Sequence, residues 1–322
     1  MKKLRVGVLR GGPSSEYEVS LKSGETVLKN LPDHYEPIDV FIDRKGIWHI
    51  HGVRHDPHKA MQKVDVFFNA MHGEYGEDGQ VQEMLDRFGA RYTGSKSFPS
   101  RVAMNKALTK EFAAKNGIKT ALARVIDKRE FDKFTAGRLY RTFPQPSVVK
   151  PMSLGSSVGV TIAKSMGELE EALEKAFSLS DSVLVEEYIK GREATCGVVD
   201  KFAGEDYHAL MPIEIVPEDA KAFYDYDAKY LSDNTNYLIP GNFSPDETKI
   251  IREASKIIHQ ALGLRHYSRS DFIVSPRRGV YFLEVNTLPG LTSHSLIPKS
   301  VAHAGQSLPD FLDHILKQAL ES

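Results

Sequence analysis

Three short apolar runs open the chain, and each stops at a polar loop before a helical or irregular stretch. They are "LRVGVL" (4–9), "EPIDVFID" (36–43) and "VDVFFNAM" (64–71). Gly11-Gly12 follows the first run, and a helical pattern then continues through "EVSLKSGETVLKNL", with a cap expected at Ser14 or Ser15. Strands alternating with helices in this way predict an open, Rossmann-like parallel sheet over residues 1–98. Ligands of such sheets sit at the C-terminal strand ends. Here those ends carry Gly11 to Glu16 and His72 to Asp78.

The texture changes near residue 102. "SRVAMNKALTKEFAAKNG" predicts one amphipathic helix ended by Gly117, and the strands "SVVKP", "SVGVTIA" and "SVLVEEYI" surround the helix "MGELEEALEKAFSLS". These form a smaller unit over 99–187. From 188 to 322, β-hairpins mix with the long helix "SPDETKIIREASKIIHQALG", whose Ser244 and Glu247 make a capping-box pattern, and a closing helix "SLPDFLDHILKQAL". The fold class expected is α/β (α+β), and 322 residues suit two or three domains. A net charge of −1, with no long basic run, argues against a nucleic-acid partner. The single cysteine, Cys196, allows no internal disulfide and fits a reducing compartment. The N-terminal apolar run is too short for a secretion signal, and no window approaches 18 apolar residues, so a cytoplasmic protein with no membrane partner is expected.

Three stretches carry chemistry. In "KPMSLGSSVGV", Lys150 ends a strand before Gly155-Ser156-Ser157-Val158-Gly159. Glycines let backbone N–H groups approach an anion and serines add donors, although the same residues also suit a plain glycine hairpin. No Gly-Lys-Ser/Thr opens a helix there, so it is not a Walker A loop. In "VLVEEYIKGRE", Glu186, Glu187 and Glu193 suit an adenine amino group or ribose hydroxyls, although acids at such a place are more often a solvated strand edge. The third is "SRSDFIVSPRRGVYFLEVN", read as two strands around the turn Ser275 to Gly279. Pairing Val274 with Tyr281 puts Asp271 opposite Glu284, with Cβ atoms about 5 Å apart. A divalent cation between them removes the repulsion. Asn286 falls on the same face as Glu284, and Arg269 on that of Asp271. Two carboxylates and an amide form an all-oxygen set suited to Mg²⁺ or Mn²⁺, while Arg269 is placed for a phosphate or a developing oxyanion.

The pattern K-P-x-x-x-G-S-S-x-G, then V-E-x-Y, then D…E-x-N-T-x-P-G-x-T, resembles the ATP-grasp enzymes, and within them the D-alanine–D-alanine ligases. "GGPSSEYEVSLKSG" resembles that family's N-terminal signature and "MHGEYGEDGQVQ" its His-Gly…Gly-Glu-Asp-Gly loop. "FYDYDAKYLSD" resembles its ω-loop and "TSHSL" its acceptor-binding turn, so the likeness runs in order along nearly the whole chain. The resemblance implies an ATP-grasp fold behind the open-sheet domain, with 99–187 as the small lid domain and 188–322 as the catalytic domain. It implies a reaction for peptidoglycan precursor synthesis. ATP phosphorylates the carboxylate of one D-alanine, and the amine of a second displaces phosphate from the acylphosphate.

Site residues follow from the same resemblance. The ATP clamp maps to Lys106, Lys150, Glu186 and Glu193, with Phe223 and Lys229 from the ω-loop, and two Mg²⁺ or Mn²⁺ ions map to Asp271, Glu284 and Asn286. Glu16 would hold the first D-alanine's ammonium, with Ser156 and Tyr230 tying the two loops over the site. Arg269 and the Gly290 N–H would stabilise the tetrahedral intermediate. Ser295 and Leu296 would take the acceptor's carboxylate and methyl, with His72 nearby, where charge matters for the incoming amine. A homodimer is a further family implication. Three positions depart from the family pattern: Leu154 replaces an acid, Arg10 an aromatic or aliphatic residue, and Asn105 an aspartate. Tyr230 resembles dipeptide-forming members rather than those using D-lactate. Other readings are a ligase taking D-serine or D-lactate, a nucleotide-binding regulator without catalysis, and a Rossmann oxidoreductase, the last weakened by the lack of G-x-G-x-x-G.

Overall fold

The computed structural model describes residues 3–152, 159–216 and 236–321. Leu154 and Ser156 of the glycine loop, and Phe223, Lys229 and Tyr230 of the ω-loop, lie outside the described residues. The first sheet uses β1 (Leu4–Gly11), β2 (Tyr35–Ile42), β3 (Trp48–Ile50), β4 (Val53–His55) and β5 (Val66–Asn69), in the order β4-β3-β2-β1-β5. β1 pairs in parallel with both β2 and β5, as the strand–helix alternation predicts. β3 and β4 add an antiparallel edge, and strands of three residues are too short to show a period in sequence.

The helices of this sheet are α1 (Tyr17–Asn30), α2 (Pro57–Met61) and α3 (Gln80–Arg87). The expected serine cap on α1 is absent: Glu16 is the N-cap, and the Ser14 hydroxyl instead accepts from the Glu16 N–H at 3.0 Å. That closes a turn before the helix and delivers Glu16 to the strand ends. Leu9, Ile42, Trp48 and Phe67 pack with Val81 and Leu85 of α3 on one face. Val6, Val8, Val66 and Phe68 on the other meet Val27 of α1 and four side chains of the closing helix, Phe311, Leu312, Ile315 and Leu316. Each such fully buried side chain contributes about 1.5–3 kcal/mol relative to exposure.

The single helix expected after residue 100 is two, α4 (Ser97–Met104) and α5 (Lys106–Lys115). Between them Asn105 is extended, and its side chain accepts from the N–H groups of Ala107 and Leu108, both at 3.1 Å. A short polar side chain that can bond the backbone locally favours a cap over a helix interior. The break starts a fresh helix whose Lys106 and Lys110 lie one turn apart. A second sheet follows, from β6 (Ala123–Asp127), β7 (Ser147–Pro151), β8 (Thr161–Ala163) and β9 (Ser182–Glu187), with α6 (Thr135–Thr142) and α7 (Met166–Leu179) on one face. Its order is β6-β9-β7-β8, antiparallel throughout.

The third sheet runs β13-β12-β10-β14-β15, with β11 beside β10. Its strands are β10 (Arg192–Phe202), β11 (Glu205–Ala209), β12 (Ile213–Val216), β13 (Asn236–Leu238), β14 (Tyr267–Ser275) and β15 (Gly279–Asn286). The helices are α8 (Pro245–Ala261), α9 (Leu296–His303) and α10 (Leu308–Glu321). The Ser244–Glu247 capping box is present at the start of α8. Ile251, Ala254 and Ile258 of α8 cover Phe272, Val274 and Phe282 on one face of the sheet. The opposite face carries polar side chains alongside an apolar patch of Ile273, Tyr281 and Leu283. Among the described residues, no helix is long and apolar enough to cross a membrane.

The β14–β15 hairpin departs from the expected pairing. Val274 pairs with Val280, not Tyr281, because the turn is one residue tighter, closing at Ser275 and Gly279. A β-bulge then adds Leu283 between the pairs Phe272–Phe282 and Asp271–Glu284, and this restores the expected opposition of the two acids. The extra residue also sets the facing. Phe282 and Val285 both lie in the core under α8, while Leu283 packs on the other face with Ile273 and Tyr281. With Leu283 present and strict alternation from Phe282, Glu284 and Asn286 would point into that core.

Candidate active site

The polar face of the third sheet collects Asp271 and its partners. Arg269 grips both Asp271 oxygens, from Nε and an Nη, each at 2.9 Å. Thr195 Oγ1, one strand away on β10, donates at 2.6 Å, and Asn286 Nδ2 at 3.1 Å. Glu284 stands opposite Asp271, with Lys106 Nζ 3.7 Å from its carboxylate. Glu193 lies two residues before Thr195 on the same strand and so shares its face. The structure therefore brings Arg269, Asp271, Glu284 and Asn286 together as the hairpin predicts. Among the described residues, no three His, Cys, Asp or Glu side chains converge as a metal cage. Two carboxylates and an amide oxygen fit Mg²⁺ or Mn²⁺ only with waters and phosphate oxygens completing the octahedron.

Above that face a buried Glu186 sits between two lysines. Lys110 Nζ is 2.7 Å from one of its oxygens and Lys150 Nζ 2.6 Å from the other. Burial opposes the Glu186 charge, but Lys150 and Lys110 outweigh it and hold the carboxyl below its ordinary range. Burial also works against both ammonium groups. It prevails at Lys110, whose pKa is lowered, and loses at Lys150, which Glu186 and then Glu284 hold above the usual value. With both oxygens engaged, the Glu186 side chain anchors the two lysines. Two lysines on one carboxylate give a net unit of positive charge where β7 ends. Lys110 is absent from the sequence reading; its signal is the one-turn spacing from Lys106.

Loops at the strand ends of the first sheet supply the facing wall. Glu16 is buried, with its Oε2 held against Gly73, whose positive φ and tight surroundings exclude a side chain; a Cβ there would lie 2.7 Å from that oxygen. His72 is buried, with Nε2 2.7 Å from Ser23 Oγ. Burial pushes its pKa down to about 4 despite a hydrogen bond to the Leu288 carbonyl, with the Arg269 charge adding to the lowering. The ring is therefore neutral near pH 7, and it carries no charge for an incoming amine. Glu77, which sequence reading passed over, accepts from the N–H groups of Gly73 at 2.8 Å and Leu288 at 3.2 Å. Burial and the neighbouring Glu16 raise its pKa, while those two N–H groups and Arg269 lower it, and the rise prevails.

Glu16, His72, Glu77, Lys106, Arg269 and Gly290 line one cleft with Glu284 and Asn286. Beyond Gly290, Ser295 precedes α9, and its hydroxyl is turned back to Thr292, accepting from the Thr292 N–H at 3.1 Å. Leu296 is buried beside Ile213 and Ile215. Two family departures have local explanations. Arg10 forms a bidentate pair with Asp39 at 2.7 and 2.6 Å, and Asn105 caps α5 as an aspartate would.

Comparison with known proteins follows the same outline. The family model described as D-ala D-ala ligase C-terminus matches residues 112–317, and that described as D-ala D-ala ligase N-terminus matches residues 5–59 and 52–95. The chain is 40% identical to the D-alanine–D-alanine ligase of Geobacter sulfurreducens, covering 99% of this chain and 95% of that one. It is 37% identical to that of Fervidobacterium nodosum, covering 98% of each. Among solved structures, D-alanine–D-alanine ligase from Bacillus anthracis matches with a TM-score of 0.81 at 34% identity, covering 99% of this chain and 98% of that one. The VanG D-Ala:D-Ser ligase from Enterococcus faecalis matches with a TM-score of 0.84 at 28% identity, covering 99% and 100%.

Proposed function

The chain belongs to the D-alanine–D-alanine ligase family, and from that membership and the cleft we infer how its residues divide the work. It is an ATP-dependent ligase that joins two D-alanines for peptidoglycan synthesis. The observation that carries the residue assignments is the convergence of Glu16, Arg269, Glu284, Asn286 and Gly290, from both ends of the chain, on one cleft.

Glu16 takes the ammonium of the first D-alanine and leaves its carboxylate toward Arg269. Lys106 and Lys150 draw the triphosphate in, with Lys110 and Glu186 fixing Lys150 at the strand end. Glu193, with Phe223 and Lys229 of the ω-loop, completes the nucleotide site. Two divalent cations, when bound, neutralise phosphate charge and orient the γ-phosphoryl group, and Asp271, Glu284 and Asn286 would hold them. A carboxylate oxygen bonds to the γ-phosphorus as the bridging bond to ADP breaks. The amine of the second D-alanine, held near Ser295 and Leu296, then attacks the acyl carbon. The C–N bond forms as the carbonyl opens to an oxyanion, which Arg269 and the Gly290 N–H stabilise; the carbonyl then re-forms as the bond to phosphate breaks, and the nitrogen gives up its proton to the departing phosphate or to solvent. Ser156 and Tyr230 close the loops and keep water from the acylphosphate. His72 serves as a neutral group behind this wall. A cytoplasmic location follows from the need for ATP, and a homodimer belongs with the same reading, checked by light scattering.

Purified protein should release phosphate from ATP only with D-alanine and Mg²⁺, and the product mass should be that of D-alanyl-D-alanine. Equal release with L-alanine, or a D-serine or D-lactate product in preference, would overturn the assignment.

A further inference from the structure

The peptide of Leu288 is held on both sides by the first domain. Its N–H donates to Glu77 Oε1 at 3.2 Å, and its carbonyl accepts from the His72 ring. The other Glu77 oxygen accepts from Gly73 N–H at 2.8 Å. One carboxylate thus joins a loop of the first domain to the turn that follows β15. His72 is itself fixed, by Ser23 Oγ at 2.7 Å from Nε2 and by its own N–H donating to Ser20 Oγ at 2.9 Å. The Leu288 side chain, 1% exposed, lies against Gly94, where a Cβ would come 2.7 Å from Leu288 Cδ2.

Pro289 and Gly290 come next, and the proline ring fixes φ between the held peptide and the Gly290 N–H. Few free dihedrals separate the two. A carboxylate is the side chain suited to this task, because it accepts from two N–H groups at once, whereas an amide offers one oxygen. Burial and the Glu16 charge raise the Glu77 pKa to about 8, and the two N–H groups work against that rise.

We propose that Glu77, with His72, is a positioning residue for the oxyanion turn: by gripping the Leu288 peptide it sets where the Gly290 N–H points. This rests on the reading above that Gly290 stabilises the tetrahedral intermediate. A donor serves an oxyanion only within a few tenths of an ångström of its place, and a misplacement of about 1 Å costs about 100-fold in rate. Simple domain glue would instead show in thermal stability alone.

The test uses the full-length enzyme with ATP and Mg²⁺, and a phosphinate dipeptide analogue of the tetrahedral intermediate as the probe. Glu77→Gln keeps the shape and removes one acceptor. It should lower kcat about 10–100-fold and weaken the analogue by the same factor, with KM for ATP changed less than about 2-fold. Glu77→Asp, assayed alongside at a temperature where every protein is folded, should fall in the same way because its oxygens cannot reach both N–H groups. Arg269→Lys is the parallel arm. Weaker analogue binding in the Glu77 and Arg269 variants together supports the proposal. Weaker binding in Arg269→Lys alone, with Glu77→Gln at the parent kcat or altered only in melting temperature, overturns it. Unchanged binding in all the variants overturns the oxyanion reading beneath it.

Discussion

The bulge at Leu283 makes a prediction about chain length in mid-strand. Deleting Leu283 removes the extra residue, so Glu284 moves up one place and still opposes Asp271, and it still faces the cleft because it follows the core-facing Phe282 directly. The loss is the packing of a half-buried leucine on Ile273 and Tyr281, about 1–2 kcal/mol. Inserting an alanine after Leu283 tests the same parity from the other side. Kept bulged, the strand would turn Glu284 and Asn286 into the core of Phe272 and Phe282 and Val285 out, at about 3–5, 1–3 and 1.5–3 kcal/mol respectively. Strict alternation in place of the bulge avoids that cost: Glu284 again faces the cleft, but it stands opposite Arg269 rather than Asp271. Circular dichroism melts should show both variants folded, the deletion variant roughly 3–8 °C below the parent. Turnover should fall in the deletion variant as the local twist changes, and vanish in the insertion variant. An insertion variant with the parent's turnover, or a deletion variant that fails to fold, would refute the account of the bulge.

Two further predictions concern charge. Lys110→Met leaves Glu186 to Lys150 alone and removes one positive charge from the nucleotide side of the cleft. The KM for ATP should rise roughly 10-fold, the effect of a unit charge about 10 Å away at an effective dielectric of about 20, with D-alanine KM unchanged; an ATP KM within twofold of the parent would count against the charge argument. His72 and His266 are buried with pKa values pushed down to about 4 and about 3, chiefly by burial. Both lie below the unfolded value of about 6.5, so the unfolded chain binds protons first as pH falls. Stability should be nearly flat well above that value and drop by about 3 kcal/mol from the two together between pH 6.5 and 5. Calorimetry across that range tests it, and a flat melting temperature would refute it.

Legibility in sequence followed distance along the chain. The opposition of Asp271 and Glu284 was readable because one tight turn joins their strands, even though the turn and the bulge made compensating departures from the expected pairing. The parallel sheet was readable from apolar runs alternating with helical stretches. Asn105 was not read as a helix break, since its capping depends on backbone geometry that a helical pattern conceals. Glu77 lay inside a recognised loop, but its second partner, Leu288, is 211 residues away, and nothing local announces that bond. The neutral state of His72 likewise comes from burial by the far end of the chain.

The last helix has a bearing on how this protein is made. Val66 and Phe68, which complete one face of the first sheet beside Val6 and Val8, are synthesised roughly 240 residues before the Phe311 and Ile315 that cover them. At about 5–20 residues per second, the ribosome leaves that face of the first sheet open for on the order of 10–50 s. The domain emerging first is thus among the last to finish, and a nascent chain stalled before residue 308 carries an uncovered apolar surface.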